Sequence, residues 1–184
     1  VYGVEAPHSV LIPQVMTDPE DLDWTEDMLG HKANFSDVNE SFGVAVFAYL
    51  PEQDLKLSNT ASLVRRHHWA LQMDRLEPSD SPMIWAHIYN DAVQIMASKK
   101  GNWTLINSFP CANESELMYH LGNCVEQLDW NRADCTIEIS GLSAKAYKDV
   151  VQPYFGTVRL FKPMQWSKIS SAMKEFDALA FATL

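Results

Sequence analysis

The chain is short of cysteine, of positive charge and of long apolar runs, and each shortage removes a class of protein. It has three cysteines, Cys111, Cys124 and Cys135. They are an odd number with no CxxC pair, which fits neither a disulfide framework nor a structural zinc site. Lysine and arginine total 14 against 24 acids, a formal charge of −10 with a pI near 4.9. Such a surface repels phosphate backbones and anionic lipid, so neither nucleic acid nor a membrane is expected as a partner. No apolar run approaches bilayer-spanning length, and Val1–Pro13 lacks the charged and apolar regions of a signal peptide. The chain reads as a soluble protein of a reducing cytoplasm. With 184 residues, 47% of them hydrophobic, it has enough apolar material for one ordinary core or two small ones.

What is present is an ordered succession of elements. Met83–Tyr89, Ala92–Ser98 and Trp103–Phe109 read as strands, separated by Asn90-Asp91 and by Lys99-Lys100-Gly101-Asn102, short turn signals of the hairpin kind. From Asn113 the period changes: Leu117, Leu121, Cys124, Val125 and Leu128 lie three and four apart, on one face of a helix. Asn113 followed by Glu116 has the capping-box spacing that fixes its start. The run Cys135–Ile139 reads as a strand that returns parallel to an earlier one by a right-handed crossover. A helix over Ser143–Val151 and a strand at Thr157–Phe161 extend that sheet, and a last helix over Trp166–Leu179 closes it. The order β-β-β-α-β-α-β-α predicts an α/β fold with a ribonuclease-H-like mixed sheet.

The first half is less regular. Ser9–Ile12 is a short apolar run ended by Pro13, and Thr17-Asp18-Pro19-Glu20 is a helix opening. Residues 31–41 are polar and read as a loop. Phe42–Leu50 is nearly continuous apolar sequence, as in a strand buried on both faces. Pro51 opens a short helix to about Leu57, Leu63–Val64 begins a further strand, and His68–Leu76 is helical. The two halves echo one another in element order: Phe42–Leu50 parallels Asp134–Ile139, with the boundary in the linker Glu77–Pro82. This divides the chain into subdomains at 1–82 and 83–184.

The segments Ile106-Asn107-Ser108-Phe109, Ser115–Leu121, Glu126-Gln127-Leu128-Asp129, Ile137-Glu138-Ile139-Ser140-Gly141 and Val10-Leu11-Ile12-Pro13 resemble a family of uncharacterised Bacteroidetes proteins. The fold this resemblance implies is that of the actin-like ATPases, with two ribonuclease-H-like subdomains. Members begin with a hairpin that nothing here matches and the chain lacks an initial Met, so it reads as a fragment, its first subdomain incomplete. In the wider actin, Hsp70 and sugar-kinase group, two hairpins cradle phosphates and a Gly-rich strand-to-helix turn holds adenosine. The cofactors so implied are ATP and Mg2+, neither fixed by any residue on its own. Glycines and backbone N–H groups permit close approach to phosphate, and a hairpin acid positions metal and water.

This sequence departs from that pattern. Its phosphate hairpin would be Ile88-Tyr89-Asn90-Asp91-Ala92, with one acid, Asp91, and no glycine; as an ordinary tight-turn residue Asp91 reads better than as a metal-positioning acid. The adenosine turn would be Ile137–Ser143, with Ser140 in place of the first glycine and Gly141 and Ser143 retained. A plain strand-to-helix turn would also use a Gly for its backbone and a Ser as helix cap. Cofactor contacts therefore centre on Asp91, Ser140, Gly141 and Ser143. No catalytic or metal residues are assigned, and hydrolysis is not expected.

Other constellations are weaker. His67-His68 are adjacent and point apart, without a carboxylate at ligand spacing. Asp91 with Glu138 would suit a two-metal nuclease, against the acidic balance. Cys111, just before a helix, is a candidate for a lowered pKa, while Cys124 and Cys135 read as buried small hydrophobes. Lys145, Lys148, Arg159 and Lys162 form a basic patch that reads as a solvated face. The sequence leaves two classes of function open: a nucleotide-binding or protein-interaction module without hydrolysis, and an active ATP-using enzyme whose first hairpin lies outside this chain. Its protein partner is not specified.

Overall fold

Hairpin turns and a capped helix set the second half of the chain, and the computed structural model bears this out strand by strand. It describes residues 2–4, 9–13, 16, 23–40, 42–50, 65–89, 91–141 and 143–161. These fall into two compact units, one up to Leu76 and one from Glu77.

In the second unit β6 (Met83–Tyr89), β7 (Ala92–Lys99) and β8 (Asn102–Pro110) form an antiparallel meander. The chain continues through α3 (Glu114–Gln127), β9 (Thr136–Gly141), α4 (Ala144–Val151) and β10 (Thr157–Leu160). The strand order is β10-β9-β6-β7-β8, with β6, β9 and β10 parallel. Parallel neighbours need a crossover, which α3 and α4 supply. The cap forms as the spacing predicts, with its return arm shifted by one residue: Glu116 N–H donates to Asn113 Oδ1 (3.1 Å), and Glu116 Oε2 accepts from Ala112 N–H (2.7 Å), just before the N-cap.

One sheet face carries Ile84, Ala86, Ile88, Val93, Ile95, Ile137, Ile139 and Val158 into a core shared with Leu117, Leu121, Cys124 and Val125 of α3 and Val151 of α4. Leu117 and Leu121 are fully buried, each contributing about 2 kcal/mol through burial. The opposite face carries Trp85, His87, Gln94, Met96 and Ser98, also buried.

In the first unit β2 (Ser9–Pro13), β3 (Phe35–Asn39) and β4 (Val44–Ala48) form an antiparallel sheet of order β2-β4-β3. β1 (Tyr2–Val4) pairs in parallel with β5 (Arg65–His67), which leads into α2 (His68–Arg75). α1 (Trp24–Leu29) ends at Gly30, whose φ of 71° lets its N–H reach Glu26 O. Trp24 stacks edge-on against Phe47 (5.3 Å) in a core with Leu29, Ala33 and Ala45.

Three expectations for this unit change. Residues 35–39, expected in a loop, form β3, because their backbone pairs with β4 from Phe35 to Asn39 and Asn39, buried, donates to Asp74 Oδ1 (2.7 Å). β4 begins at Val44, leaving Phe42 exposed. The echo of Phe42–Leu50 with Asp134–Ile139 fails on pairing: β4 has antiparallel neighbours on both sides, β9 parallel ones. The helix opening at Asp18, the helix from Pro51 to Leu57, the strand start at Leu63–Val64 and the helix over Trp166–Leu179 lie outside the described residues.

Candidate functional site

The alternation of β6 and β9 decides which groups meet at the end of the second unit's sheet. β6 and β9 run parallel and Ile88 is registered with Gly141, so both strands finish at the same end. The turn into β7 follows β6 there, and Cys111 N–H, just past β8, donates to Asp91 O (2.7 Å). Adjacent strands are about 4.8 Å apart and a residue advances about 3.3 Å, so Asp91 lies within about 15 Å of Gly141. α3 and α4 both start at this end. The carboxyl ends of parallel strands are where open α/β sheets bind ligands. The sequence-predicted residues Asp91, Ser140, Gly141 and Ser143 are thus brought to one edge of one unit.

Gly141 is fixed by its surroundings. Its φ is +90°, and a Cβ there would stand 2.0 Å from Ile88 O and 2.9 Å from Ile88 C and N. Only glycine lets β9 approach β6 this closely before the chain turns.

Ser140 behaves differently from a glycine substitute. Its Oγ lies 2.9 Å from His87 Nδ1, so the hydroxyl is turned onto the sheet rather than toward the turn. Ser143 does not cap α4. It adopts a left-handed conformation (φ 54°) and makes no side-chain cap bond, while its carbonyl accepts from Ala146 and Tyr147 N–H. Its exposed hydroxyl is left at the first turn of α4.

Two of the weaker constellations in the sequence fall away, one on burial and one on distance. Cys111 is buried, and its thiol pKa is raised, by desolvation and then by the Glu116 carboxylate, not lowered. Burial likewise pushes the Cys124 thiol up to about 11 and raises Cys135. The Asp91 and Glu138 pair does not form a site. Glu138 is registered with Trp85, four residues and about 13 Å of strand before Tyr89, far beyond the roughly 4 Å between paired metals. Its Oε1 instead accepts from Arg159 Nε (2.6 Å), which removes Arg159 from the basic patch as a free cation. Among the described residues no three His, Cys, Asp or Glu side chains converge as a metal site, and the side chains of His67 and His68 are not among them.

Three residues that sequence reasoning missed, His87, Gln94 and Ser108, continue from Ser140 as a polar row across the other sheet face. Ser140, His87, Gln94 and Ser108 follow one another in register over β9, β6, β7 and β8. Tyr89 OH lies 3.1 Å from Ser108 Oγ, and its ring stacks on His87 at 5.8 Å. Burial lowers the His87 pKa to about 4, so the imidazole is neutral at pH 7. The signal was available: a His and a Gln at same-face positions of otherwise apolar strands.

Comparison with known proteins agrees with this architecture. A crystal structure from Bacteroides thetaiotaomicron, described as a protein with actin-like ATPase fold and unknown function, superposes with a TM-score of 0.77 at 15% identity, over 96% of this chain and 71% of that one. Archaeoglobus fulgidus Pelota (TM-score 0.34, 12% identity, 74% of this chain and 38% of that one) and the AlfA filament bound to AMPPNP (0.43, 9%, 88% and 55%) are more distant. No curated protein sequence matches. Among the described residues no helix is long and apolar enough to cross a membrane. The model of the family described as protein of unknown function (DUF3822) matches residues 59–157, more than half of the chain. The chain is therefore a member of the DUF3822 family, and its fold is that of the actin-like ATPases.

Proposed function

We propose that this protein is a non-hydrolysing binding module of the actin-like fold, which takes an adenine nucleotide at the carboxyl end of its second unit's sheet. The two units correspond on this reading to subdomains at residues 1–82 and 83–184. One observation carries the proposal: the Ser140–Ser143 turn combines a glycine held at φ +90° against Ile88 with an exposed, left-handed Ser143 at the start of α4, beside the Asp91 turn. Backbone N–H groups at such a turn suit phosphate or ribose oxygens. Ser143 would contribute its hydroxyl, and Asp91 would bear on any Mg2+ that accompanies the nucleotide. The absence of hydrolysis is supported by the Ile88–Ala92 segment, which offers one acid and no glycine to hold a γ-phosphate and its metal.

The test is calorimetric titration of the protein with ADP and ATP, with and without Mg2+, alongside phosphate release. Micromolar binding without turnover is expected. No heat at millimolar nucleotide would remove the binding half, and release of phosphate that Asp91→Asn abolishes would remove the non-hydrolysing half. A protein-interaction role is the second reading, favoured by Tyr119 and Tyr154, large aromatics 67% and 57% exposed. Aromatics so exposed are enriched at interfaces.

A further inference from the structure

The polar row on the second unit's sheet contains a side chain that the described protein leaves unsatisfied. Gln94 is 1% exposed, yet neither Nε2 nor Oε1 has a hydrogen-bond partner among the described residues. Buried side-chain polar atoms almost always have a partner in protein or ordered water, because leaving one without costs its full desolvation free energy.

The surroundings of Gln94 supply what a small neutral guest would need. His87 on β6 and Ser108 on β8 are registered directly across from it, and directly opposed residues have Cβ atoms about 5 Å apart. The Ser108 hydroxyl is already joined to Tyr89 OH, and His87 Nδ1 to Ser140 Oγ. The row is therefore a set of donors and acceptors with the amide in its middle and no cationic member. His87 is neutral there, which removes the one group that could have drawn an anion.

We propose that this face of the sheet is a hydrated site, in which buried water bridges the Gln94 amide to its cross-strand neighbours His87 and Ser108. Water fits because it both donates and accepts and needs two to four polar partners, which these side chains provide. The site is separate from the proposed nucleotide turn and shares with it only Ser140, whose hydroxyl is held by His87. The hydrated row thus forms a polar seam from the β8 edge strand to the end of β9.

A high-resolution crystal structure of the chain is expected to show ordered water about 2.7–3.2 Å from the Gln94 amide; a dry amide there would overturn the proposal. Gln94→Met, of similar length and apolar, provides a second arm. If water satisfies the amide, the variant loses those bonds and its Tm is equal to or below that of the wild type. If the amide is dry, removing it relieves a desolvation cost, and a Tm raised by several degrees would overturn the proposal independently.

Discussion

Replacing Gly141 by alanine tests the central geometry of the second unit through stability alone. Two terms add. The backbone sits at φ +90°, where an L side chain costs about 1–2 kcal/mol. The new Cβ would stand 2.0 Å from Ile88 O, in a strand held on both sides by β7 and β9, so the neighbour cannot swing aside as a flexible side chain would. Overpacking of that kind costs about 1–3 kcal/mol, giving about 4 kcal/mol together. With about 4 °C per kcal/mol for a unit of this size, the Tm by calorimetry or circular dichroism falls by about 15 °C. Gly101→Ala separates the terms: φ is +70° but the nearest atom is Asp80 Oδ1 at 3.7 Å, so its loss is about 1–2 kcal/mol. A Gly141→Ala Tm within a few degrees of wild type, or equal to that of Gly101→Ala, would refute the close-approach argument. The same collision disqualifies Gly141 variants as probes of ligand binding, a task better given to Ser143.

Glu116→Ala removes the side-chain bond that holds Ala112 N–H ahead of the N-cap and is expected to cost about 1 kcal/mol in urea unfolding. His87 links stability to pH. Its folded pKa of about 4 lies below its unfolded value near 6.5, so the unfolded state binds the extra proton, and stability is full above pH 6.5 and lost as pH falls toward 4. The loss amounts to about 3 kcal/mol, and urea unfolding of His87→Gln across that range should show a correspondingly flatter profile. The three cysteines are buried with raised pKa values, so a thiol reagent at pH 7 should label none in the native protein and three in denaturant. Labelling of Cys111 in the native state would contradict its placement.

The second unit was legible in sequence because each element carried its own local signal. The turns at Asn90-Asp91 and Lys100-Gly101, the Asn113–Glu116 box and the apolar spacing of α3 all depend on near neighbours. The strand β3 was not legible, since Phe35-Ser36-Asp37-Val38-Asn39 is half polar and becomes a strand only through pairing with β4 and the contact of Asn39 with Asp74. The false echo between halves arose because an apolar run shows burial but not whether its neighbours are parallel. At the candidate site the sequence singles out Asp91, Ser140, Gly141 and Ser143 but says nothing of how each is held. That Ser140 turns to His87, that Ser143 is left-handed and uncapped, and that Gly141 lies against Ile88 follow from cross-strand register. His87 and Gln94 were passed over because a polar residue inside an apolar strand takes its meaning from what stands across from it.

The most direct test of a nucleotide-binding turn in the second unit is amide chemical-shift mapping of the labelled protein during titration with ADP. Shifts are expected to concentrate at residues 88–92 and 140–146 and to weaken in Ser143→Glu, whose carboxylate would repel phosphate. No shifts at millimolar ADP, or shifts confined to other parts of the chain, would contradict it.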